Sequence, residues 1–396
     1  MKKKSFLGET FTGILNDKLA LGAVLLVSIV VVLAIFGNFF VQDTTPGVNR
    51  QFLELSLKPI GFSVPMLKVK KNVETKSSFW QKLLFGQPDE FQFIPVDSVV
   101  VKNDSLLVYH YSEEKEKSLV EQFHLADVEY SIKSVEKKNK NRYQIILLNG
   151  NRKIVDRASL IKKIKTEYLV HWRFWLGTDR FGRDVLSRLV IGARVSLAVG
   201  FISILISVLI GIFLGALAGY YGGKTDDVIM WFINVMWSVP TLLMVIALTL
   251  VIGKGFWQIF IAVGLTMWVE VARVVRGQFM SLKEKEFVEA SKVLGFSHFR
   301  IIFRHILPNA LAPVIVISTS NFASAILIEA GLSFLGIGVQ PPTPSWGMMI
   351  KNHYGYLLVG LPQLSLAPGI AIMLMVLSLM ILGNALRDKL DNKMGH

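Results

Sequence analysis

The sequence predicts an all-α polytopic membrane protein with six membrane-spanning helices and a long polar segment inserted after the first of them. The 396 residues are 52% hydrophobic and only 18% charged, and the mean hydropathy is +0.49, more apolar content than a soluble domain can bury. The apolar residues are concentrated in six runs of about the length that crosses a bilayer. The net charge of +14 comes from Lys and Arg blocks between these runs, which indicates membrane topology and membrane lipid as a contact, and does not predict nucleic-acid binding.

The first apolar run, Leu19–Val41, follows a basic leader, so residues 1–41 are predicted to be a cytoplasmic amino terminus and the first transmembrane helix. The run is longer than the core of a signal peptide, and no small-residue cleavage site follows it, which favours an uncleaved anchor. The five further runs are Val195–Tyr221, Val228–Ile252, Phe256–Val271, Leu311–Leu335 and Leu364–Leu386. The chain has no Cys, which excludes disulfides, thiolate metal ligands and cysteine nucleophiles.

Basic residues assign the two sides of the membrane. Short loops retained in the cytoplasm carry an excess of Lys and Arg. Placing the amino terminus inside puts most loop cations inside and leaves only Lys254 and Lys351 in the two short outer loops. We therefore expect a multi-pass protein of the cytoplasmic (inner) membrane with both termini in the cytoplasm.

Residues 42–170 are predicted to be an extracytoplasmic, β-rich insertion. Segments rich in β-branched and aromatic residues indicate strands, and they are Phe91–Lys102, Ser105–Tyr111, Val128–Val135 and Tyr143–Leu148. Asn149-Gly150 lies between two apolar runs and is a strong signal for a two-residue hairpin turn. Over positions 42–190 the sequence has 25 Lys and Arg against 18 Asp and Glu, so this region has a net positive charge.

Residues 171–194 are predicted to contain an interfacial helix. On a helical projection Phe181, Val185, Leu186 and Leu189 share one face, while the other face carries Arg180, Arg183, Asp184 and Arg188. Such a helix can lie among lipid headgroups with its apolar side in the acyl chains. An ordinary surface helix remains the alternative. Residues 195–396 are predicted to form a five-helix core.

The loop between the fourth and fifth spans, residues 284–308, has the most informative spacing. Glu289, Ala290 and Ser291 precede Gly295, and the loop ends in Ile306, Leu307 and Pro308. We expect two short helices broken at Gly295, which can adopt the left-handed conformation that ends a helix. Ser297 can cap the second helix, and small side chains at 290 and 291 allow another surface to approach closely.

This spacing resembles the EAA loop of ATP-binding-cassette (ABC) importer permeases: Glu-Ala-Ala, three residues, Gly, nine residues, Ile, one residue, Leu-Pro. Ser291 replaces the second Ala, and His305 stands where Ile is usual. Further stretches resemble the dipeptide, oligopeptide and nickel branch, of the second-permease type. They are Leu176–Leu189, Ile191–Leu197, Gly219–Gly223, Arg300–Asn309, Glu329–Gly338 and Pro341–Gly347. The resemblance does not extend to residues 42–170.

The resemblance implies a type I ABC importer permease fold and a set of partners. These are a second permease in a heterodimer, two ATPase subunits that bind ATP and Mg, and an extracytoplasmic substrate-binding protein. It also implies that this chain has no catalytic residue and no cofactor of its own. Gly223-Lys224-Thr225 looks like the end of a phosphate-binding loop, but Ala218 occupies the position of its required first glycine.

Two residues within the spans are candidates for the transport pathway. Glu329 is ionisable in the fifth span, where a charge is costly and is a functional candidate; it could meet a peptide amino group or pair structurally. Pro240 is predicted to kink the third span.

Glu270 and Arg273 are predicted to form a local ion pair. Trp231 and Asn234 replace an Arg and an Asp expected by resemblance, so a polar contact of the third span could be missing.

Other functions remain alternatives. The nearest is an importer of nickel or another small solute in the same branch. Inverted repeats and acidic pairs in the middle of the spans would favour a secondary transporter, and the sequence shows neither. A membrane-anchored sensor would have no use for five further spans.

Overall fold

The computed structural model describes residues 17–72, 78–114, 118–139, 141–253 and 255–394, with the backbone alone at 390–394. Lys2, Lys3, Lys4 and Lys254, which belong to the charge pattern above, lie outside the described residues. The chain divides into two compact units. The helical unit comprises the described parts of Met1–Ala34, Ile191–Tyr354 and Ser365–His396; the mixed unit comprises those of Ile35–Val190 and Gly355–Leu364.

Long apolar helices dominate the chain, and four of the six predicted runs fall within single helices, while Leu19–Val41 ends one residue beyond its helix and Val228–Ile252 extends over two. The long helices are α1 (Lys18–Phe40), α4 (Val185–Tyr221), α5 (Gly223–Trp237), α6 (Thr241–Ile252), α7 (Phe256–Lys283), α10 (Leu307–Leu335) and α12 (Gln363–Met394). The short helices are α2 (Phe79–Phe85), α3 (Arg157–Lys163), α8 (Glu286–Val293), α9 (His298–Arg300) and α11 (Trp346–His353). Among the described residues, five helical segments are long and apolar enough to cross a membrane.

The third predicted span, Val228–Ile252, is a broken pair of helices. α5 and α6 meet at an angle of 92° and satisfy the criteria for a span only when taken together. The break lies at Ser238–Pro240, where Pro240 has an extended ψ of 128°. Proline restricts its own backbone conformation and that of the residue before it. The predicted kink is therefore present, as a break of 92° between two separate helices.

Glycine allows close packing of α4 on α7. A side chain at Gly211, Gly215 or Gly219 would meet α7 within 2.6 Å, at Val271, Ala272 or Arg276 respectively. These glycines recur every four residues and so lie on one helical face. Small residues at such spacing let membrane helices approach closely in the absence of a hydrophobic driving force.

The mixed unit contains eight described strands in two antiparallel sheets. One sheet has the order β4-β3-β2-β1-β8 and the other β5-β6-β7. The strands are β1 (Phe62–Lys70), β2 (Phe91–Lys102), β3 (Ser105–His110), β4 (Val120–His124), β5 (Ile132–Asn139), β6 (Arg142–Leu147), β7 (Arg152–Asp156) and β8 (Leu169–Phe174). One apolar cluster of these elements contains Leu67, Leu106, Tyr143 and Leu160, and a second contains Leu55, Val64, Met66 and Phe174.

Three of the four strand predictions succeed, whereas the predicted strand Val128–Val135 forms β5 only from Ile132 onwards. β2 and β3 begin where expected, and the turn at Asn149-Gly150 joins β6 to β7 with Gly150 at φ +83°. β1, β4 and β8 were not predicted. β1 contains Pro65, which argues against a strand, but Pro65 precedes the first β1–β2 pair, Met66 with Pro95. β4 is rich in polar residues, and β8 has His171 and Arg173 among four apolar residues.

The predicted boundary at 170/171 and the separate helix over 171–194 do not match the structure. β8 crosses this boundary, residues 175–184 form a loop, and Val185 already begins the 37-residue helix α4. The charged residues expected at lipid headgroups are buried, except for Arg180: Arg183, Asp184 and Arg188 are at most 6% exposed. They are not available to lipid, because they bind a preceding segment of the chain.

That segment is 43–58, and with residues 177–188 it forms a closed polar cluster. Arg183 Nε donates to Asp179 at 2.7 Å, and Arg188 Nη1 donates to the carbonyl of Val48 at 3.0 Å. The backbone N–H of Phe52 donates to the carbonyl of Phe181 at 3.1 Å. These hydrogen bonds replace the ones that the buried polar groups would otherwise make to water.

Candidate functional site

The predicted loop 284–308 contains two helices that meet at Gly295. Gly295 has φ +73°, and its N–H donates to the carbonyl of Lys292 at 2.9 Å. The N–H of Phe296 donates to the carbonyl of Ser291 at 3.1 Å. This pair of hydrogen bonds is a Schellman motif. The predicted break at Gly295 is therefore present and has the expected conformation.

The second helix of the loop continues without interruption into α10. Ser297 caps α9, because its hydroxyl accepts the N–H of Arg300. Residues Ile301–Ile306 then form a π-helical turn in which the N–H of Leu307 donates to the carbonyl of Ile302. The wider turn accommodates Pro308, which lacks an N–H and would clash with the carbonyl four residues earlier in a regular α-helix. Pro308 thus lies within a continuous helical rod.

The inner face of α8 is anchored in the helical unit. Val288 is fully buried and belongs to one apolar cluster with Ile301, Ile302 and Ile306. The same cluster includes Val275 and Phe279 of α7 and Ala310 and Val314 of α10. α8 therefore packs against the carboxyl-terminal part of α7 and against the π-turn that leads into α10.

Glu289, Ala290 and Ser291 do not share one exposed surface. Glu289 and Ala290 are exposed, whereas Ser291 is only 4% exposed, and its hydroxyl donates to the carbonyl of Phe287 at 2.7 Å. The expectation that Ser291 admits an external surface is wrong, because the surface that approaches it belongs to the same chain. Ala290 is exposed, and its contact with an external surface stays a prediction.

The outer face of the loop exposes large apolar side chains. Phe287 is 41%, Leu294 70%, Val293 87%, Phe299 70% and Phe303 46% exposed. Among them, the rings of Phe299 and Phe303 are in contact, with their centroids 4.4 Å apart. We call these five residues the apolar loop surface.

Two polar contacts fix the base of the loop region, and sequence reasoning missed both. Arg276 of α7 donates two hydrogen bonds to the carboxylate of Asp226, at 2.5 and 2.6 Å. The hydroxyl of Tyr220 lies 2.7 Å from Nδ1 of His298. Because the partners are 50 and 78 residues apart, no local spacing in the sequence signals them.

The family is decided by comparison with known proteins. The family described as "Binding-protein-dependent transport system inner membrane component" matches residues 211–396. A dipeptide transport system permease of Alkalihalophilus pseudofirmus is 43% identical over 220 residues, which are 56% of this chain and 72% of that protein. The chain belongs to this family. It is a permease subunit of a binding-protein-dependent ABC transport system.

Further permeases are similar to the same extent. An oligopeptide transport system permease of Bacillus subtilis is 40% identical over 226 residues, 56% of this chain and 72% of that protein. A glutathione transport system permease of Pectobacterium atrosepticum is 39% identical over 220 residues, 56% and 73% respectively. Among solved structures, a chain of the MetNI methionine ABC transporter aligns with 51% of this permease and 96% of its own length, at 18% identity and TM-score 0.43.

Glu329 of the permease is completely buried among serines. Its carboxylate accepts hydrogen bonds from Ser333 Oγ at 2.7 Å and Ser196 Oγ at 3.3 Å, and Ser345 Oγ lies 3.4 Å from Ser333 Oγ. Of the two roles considered for Glu329, this geometry favours the structural one, in which the carboxylate links α4 and α10 within the chain.

Glu270 and Arg273 do not form the predicted ion pair. Arg273 Nη2 donates to Asn234 Oδ1 at 3.0 Å, and the Arg273 guanidinium lies 3.6 Å from the ring centroid of Trp237. The polar contact expected to be missing at Asn234 is therefore made, by Arg273. Glu270 has no hydrogen-bonding or ionic partner among the described residues.

A cavity of about 230 Å³ lies beside the α5–α6 break. Val239 and Thr241, the neighbours of Pro240, line it together with Glu270. The break at Pro240 was predicted from the sequence, whereas the position of Glu270 at this cavity was not. The exposure of Glu270 in an otherwise buried stretch of α7 is a tertiary property that its position in the sequence does not reveal.

Proposed function

We propose that this permease is one of two membrane-spanning subunits of an ATP-driven importer of di- and oligopeptides, and that loop 284–308 couples it to an ATPase subunit. The relatives are transport system permeases for dipeptides, oligopeptides and glutathione, all of them short peptides. The single observation that carries the coupling role is that one short helix, α8, is exposed on one face and anchored on the other.

The exposed face supports docking of a partner. The apolar loop surface would be buried by a complementary groove, and burying apolar side chains favours association by about 25 cal/mol per Å². Ala290 lies on the same helix and has the smallest side chain that still favours a helix. A groove can therefore close on α8 without meeting a bulky group at this point.

The anchored face supports transmission of force. Val288 packs directly with residues of the π-turn and of α7, and packed interiors transmit displacements because they have little free space. A movement of α8 would therefore displace α7 and α10 together as a rigid body. In this mechanism the ATPase subunits bind ATP and Mg and perform the hydrolysis, and this chain transmits their movement to its transmembrane helices.

The remaining assignments concern sides and partners. We infer that both termini and loop 284–308 lie in the cytoplasm, and that the strands of residues 42–170 lie outside. A substrate-binding protein would deliver the peptide there, and the net positive charge of residues 42–190 would attract an acidic face of it, an attraction that salt screens. A second permease would complete the pathway as a heterodimer.

The coupling role is tested with Ala290→Trp, with Ala290→Ser as the matched control. In the assembled complex in proteoliposomes, the bulky variant should abolish peptide-stimulated ATP hydrolysis, and the small variant should retain it. Peptide affinity of the isolated binding protein stays the same, because neither change touches that protein. Full stimulation in the Ala290→Trp complex would contradict the coupling role of this loop.

The orientation is tested by thiol labelling, because the chain contains no Cys. A membrane-impermeant maleimide applied to cells with a permeable outer envelope should label Lys138→Cys, in the exposed part of β5, and should not label Lys285→Cys. The reverse pattern would show that the proposed topology is inverted.

A further inference from the structure

Glu270 is an exposed carboxylate near the midpoint of the 28-residue helix α7. The residues around it are buried: Met267 is 6%, Trp268 3%, Val269 3% and Val271 0% exposed. Glu270 is the second-last residue of the fourth predicted span, Phe256–Val271, and an ionisable side chain within a span is costly and faces the protein interior or a water-filled cavity unless it is paired. Glu270 is not paired among the described residues.

The nearest cation on the same helix is already engaged. Arg273 follows Glu270 by about one turn, but its guanidinium binds Asn234 and lies on Trp237 of α5. Because Arg273 is held there, it does not neutralise Glu270. The carboxylate therefore remains available for a cation that this chain does not supply.

The cavity beside Glu270 has the chemistry of a site for a cation with variable apolar groups. Its lining combines Glu270 with the hydroxyl-bearing Thr266 and Ser324 and with the flexible Met236 and Met244. Hydroxyl oxygens accept hydrogen bonds from an ammonium group, and methionines adapt to side chains of different shape. The carboxyl end of α5 also lies at this cavity, and the partial negative charge of a helix carboxyl end favours a cation.

The broken helix adds an independent reason to regard the cavity as part of a pathway. α5 and α6 meet at 92°, and the residues on either side of Pro240 line the cavity. Non-helical backbone at membrane depth is tolerated where it is buried in protein or lines a water-filled space. The break thus provides the space, and Glu270 provides the charge.

We propose that Glu270 binds the α-ammonium group of the peptide during its passage through the membrane. This rests on the proposed peptide-importing function and names the group that recognises the cargo within this subunit. Glu329, the carboxylate that the sequence suggested for this role, is unavailable because it is enclosed by Ser196 and Ser333.

The first test measures uptake of trialanine, delivered by the cognate binding protein, into proteoliposomes containing the complete complex. A charged hydrogen-bonded pair contributes enough for its loss to lower transport on the order of 10- to 100-fold, so Glu270→Gln should reduce uptake by this factor. Glu270→Asp keeps the charge and should stay within about threefold of wild type. Asp227→Asn, an exposed carboxylate on α5 that does not line the cavity, should have no effect.

The second test separates charge from structure by using Glu270→Cys with cysteine-free partner subunits. Modification with a 2-sulfonatoethyl thiosulfonate restores a negative charge and should recover uptake, whereas a 2-(trimethylammonium)ethyl reagent should not. Saturating trialanine with its binding protein and ATP should slow the labelling, because the ammonium group and the reagent compete for one site. A merely structural carboxylate would show no such dependence on charge or substrate.

Three results would overturn the proposal. One is wild-type uptake by the Glu270→Gln complex. Another is recovery by the positive reagent as complete as by the negative one. The third is labelling at position 270 only in the absence of the second permease, which would place Glu270 in the subunit interface. A wild-type complex that imports no peptide would contradict the proposed function as well, whereas wild-type uptake alongside an unaffected Glu270→Gln variant contradicts this inference alone.

Discussion

Residues 177–188 and loop 284–308 both contain glycines with positive φ next to charged residues, but the structure uses them in opposite ways. At Gly182, with φ +69°, a Cβ would lie 1.7 Å from the carbonyl oxygen of Phe52. At Gly295, with φ +73°, a Cβ would meet nothing within 4 Å. Gly182 is required because segment 43–58 leaves no space for a side chain. Gly295 is required only because its backbone has a positive φ.

The same contrast holds for the surrounding side chains. Around Gly182 the side chains of Arg183 and Arg188 are buried and donate hydrogen bonds to segment 43–58, so this region is covered by its own chain. Around Gly295 large apolar residues are exposed, as expected if a partner subunit covers them. A family motif therefore does not reveal whether it serves the fold or an interface until the burial of its members is known.

The largest expected effect comes from closing the space at Gly182. Gly182→Ala should destabilise the mixed unit by about 4 kcal/mol, because overpacking against backbone adds to the cost of a positive φ. Gly150→Ala, at φ +83° with nothing within 4 Å, should cost only about 1 kcal/mol. Pulse proteolysis in native membranes measures both. Equal destabilisation by the two variants would show that the contact with Phe52 is unimportant.

The buried ion pair should be the next most sensitive feature. Arg183→Met leaves the fully buried Asp179 without its side-chain cation and should cost about 3 kcal/mol. Arg180→Met, in the same loop but exposed, should change stability by less than about 0.5 kcal/mol. The comparison uses the same proteolysis assay, and a similar loss in both variants would contradict the closed cluster.

Gly295 should show a smaller effect on stability. Gly295→Ala meets no atoms and should cost about 1 kcal/mol through the left-handed backbone alone. Gly277→Ala, in the exposed interior of α7 with nothing within 4 Å, should instead stabilise by up to about 1 kcal/mol through helix propensity. Thermal unfolding of the purified permease in detergent measures the two shifts, which we expect to have opposite signs.

The smallest effects concern two carboxylates of the mixed unit and have opposite pH dependence. Hydrogen bonds from Lys137 and Tyr143 hold the pKa of Asp104 below its usual value, so its contribution is present at neutral pH and is lost as pH falls through that lowered pKa. Burial raises the pKa of Asp184, so this carboxylate destabilises the fold at neutral pH and ceases to do so as acid protonates it.

Asp104→Asn should therefore lower stability at pH 7 by less than about 1 kcal/mol, because the group is partly exposed and screened, and should make the acid-induced loss shallower. Asp184→Asn should leave stability at pH 7 unchanged or raise it. The variant should also lose the stabilisation that protonation of Asp184 gives the wild type as the pH falls. Proteolysis at pH 7 and pH 4 distinguishes the two. Identical pH profiles for both variants would contradict the assigned pKa directions.

The local features of the candidate site could be predicted because their causes are local. The left-handed turn at Gly295 and the Ser297 cap depend on residues within a few positions of each other. The burial of Ser291 could not be predicted, because it depends on which side of α8 packs against the π-turn. The partner of Arg273 could not be predicted either. Arg273 binds Asn234 and Trp237 of α5 and does not pair with Glu270, although Glu270 is closer in the sequence.

The sequence by itself determined the apolar helices, the break at Pro240, the Asn149-Gly150 hairpin and the family-specific loop, because periodicity, proline and glycine act through the backbone of their own segment. Only the tertiary structure decided which polar groups are buried. Residues 177–188 became a closed cluster, Glu329 was enclosed by serines, and Glu270 was left exposed at a cavity. The physical reason is that the cost of burying a charge depends on its neighbours in space, and those neighbours come from distant parts of the chain.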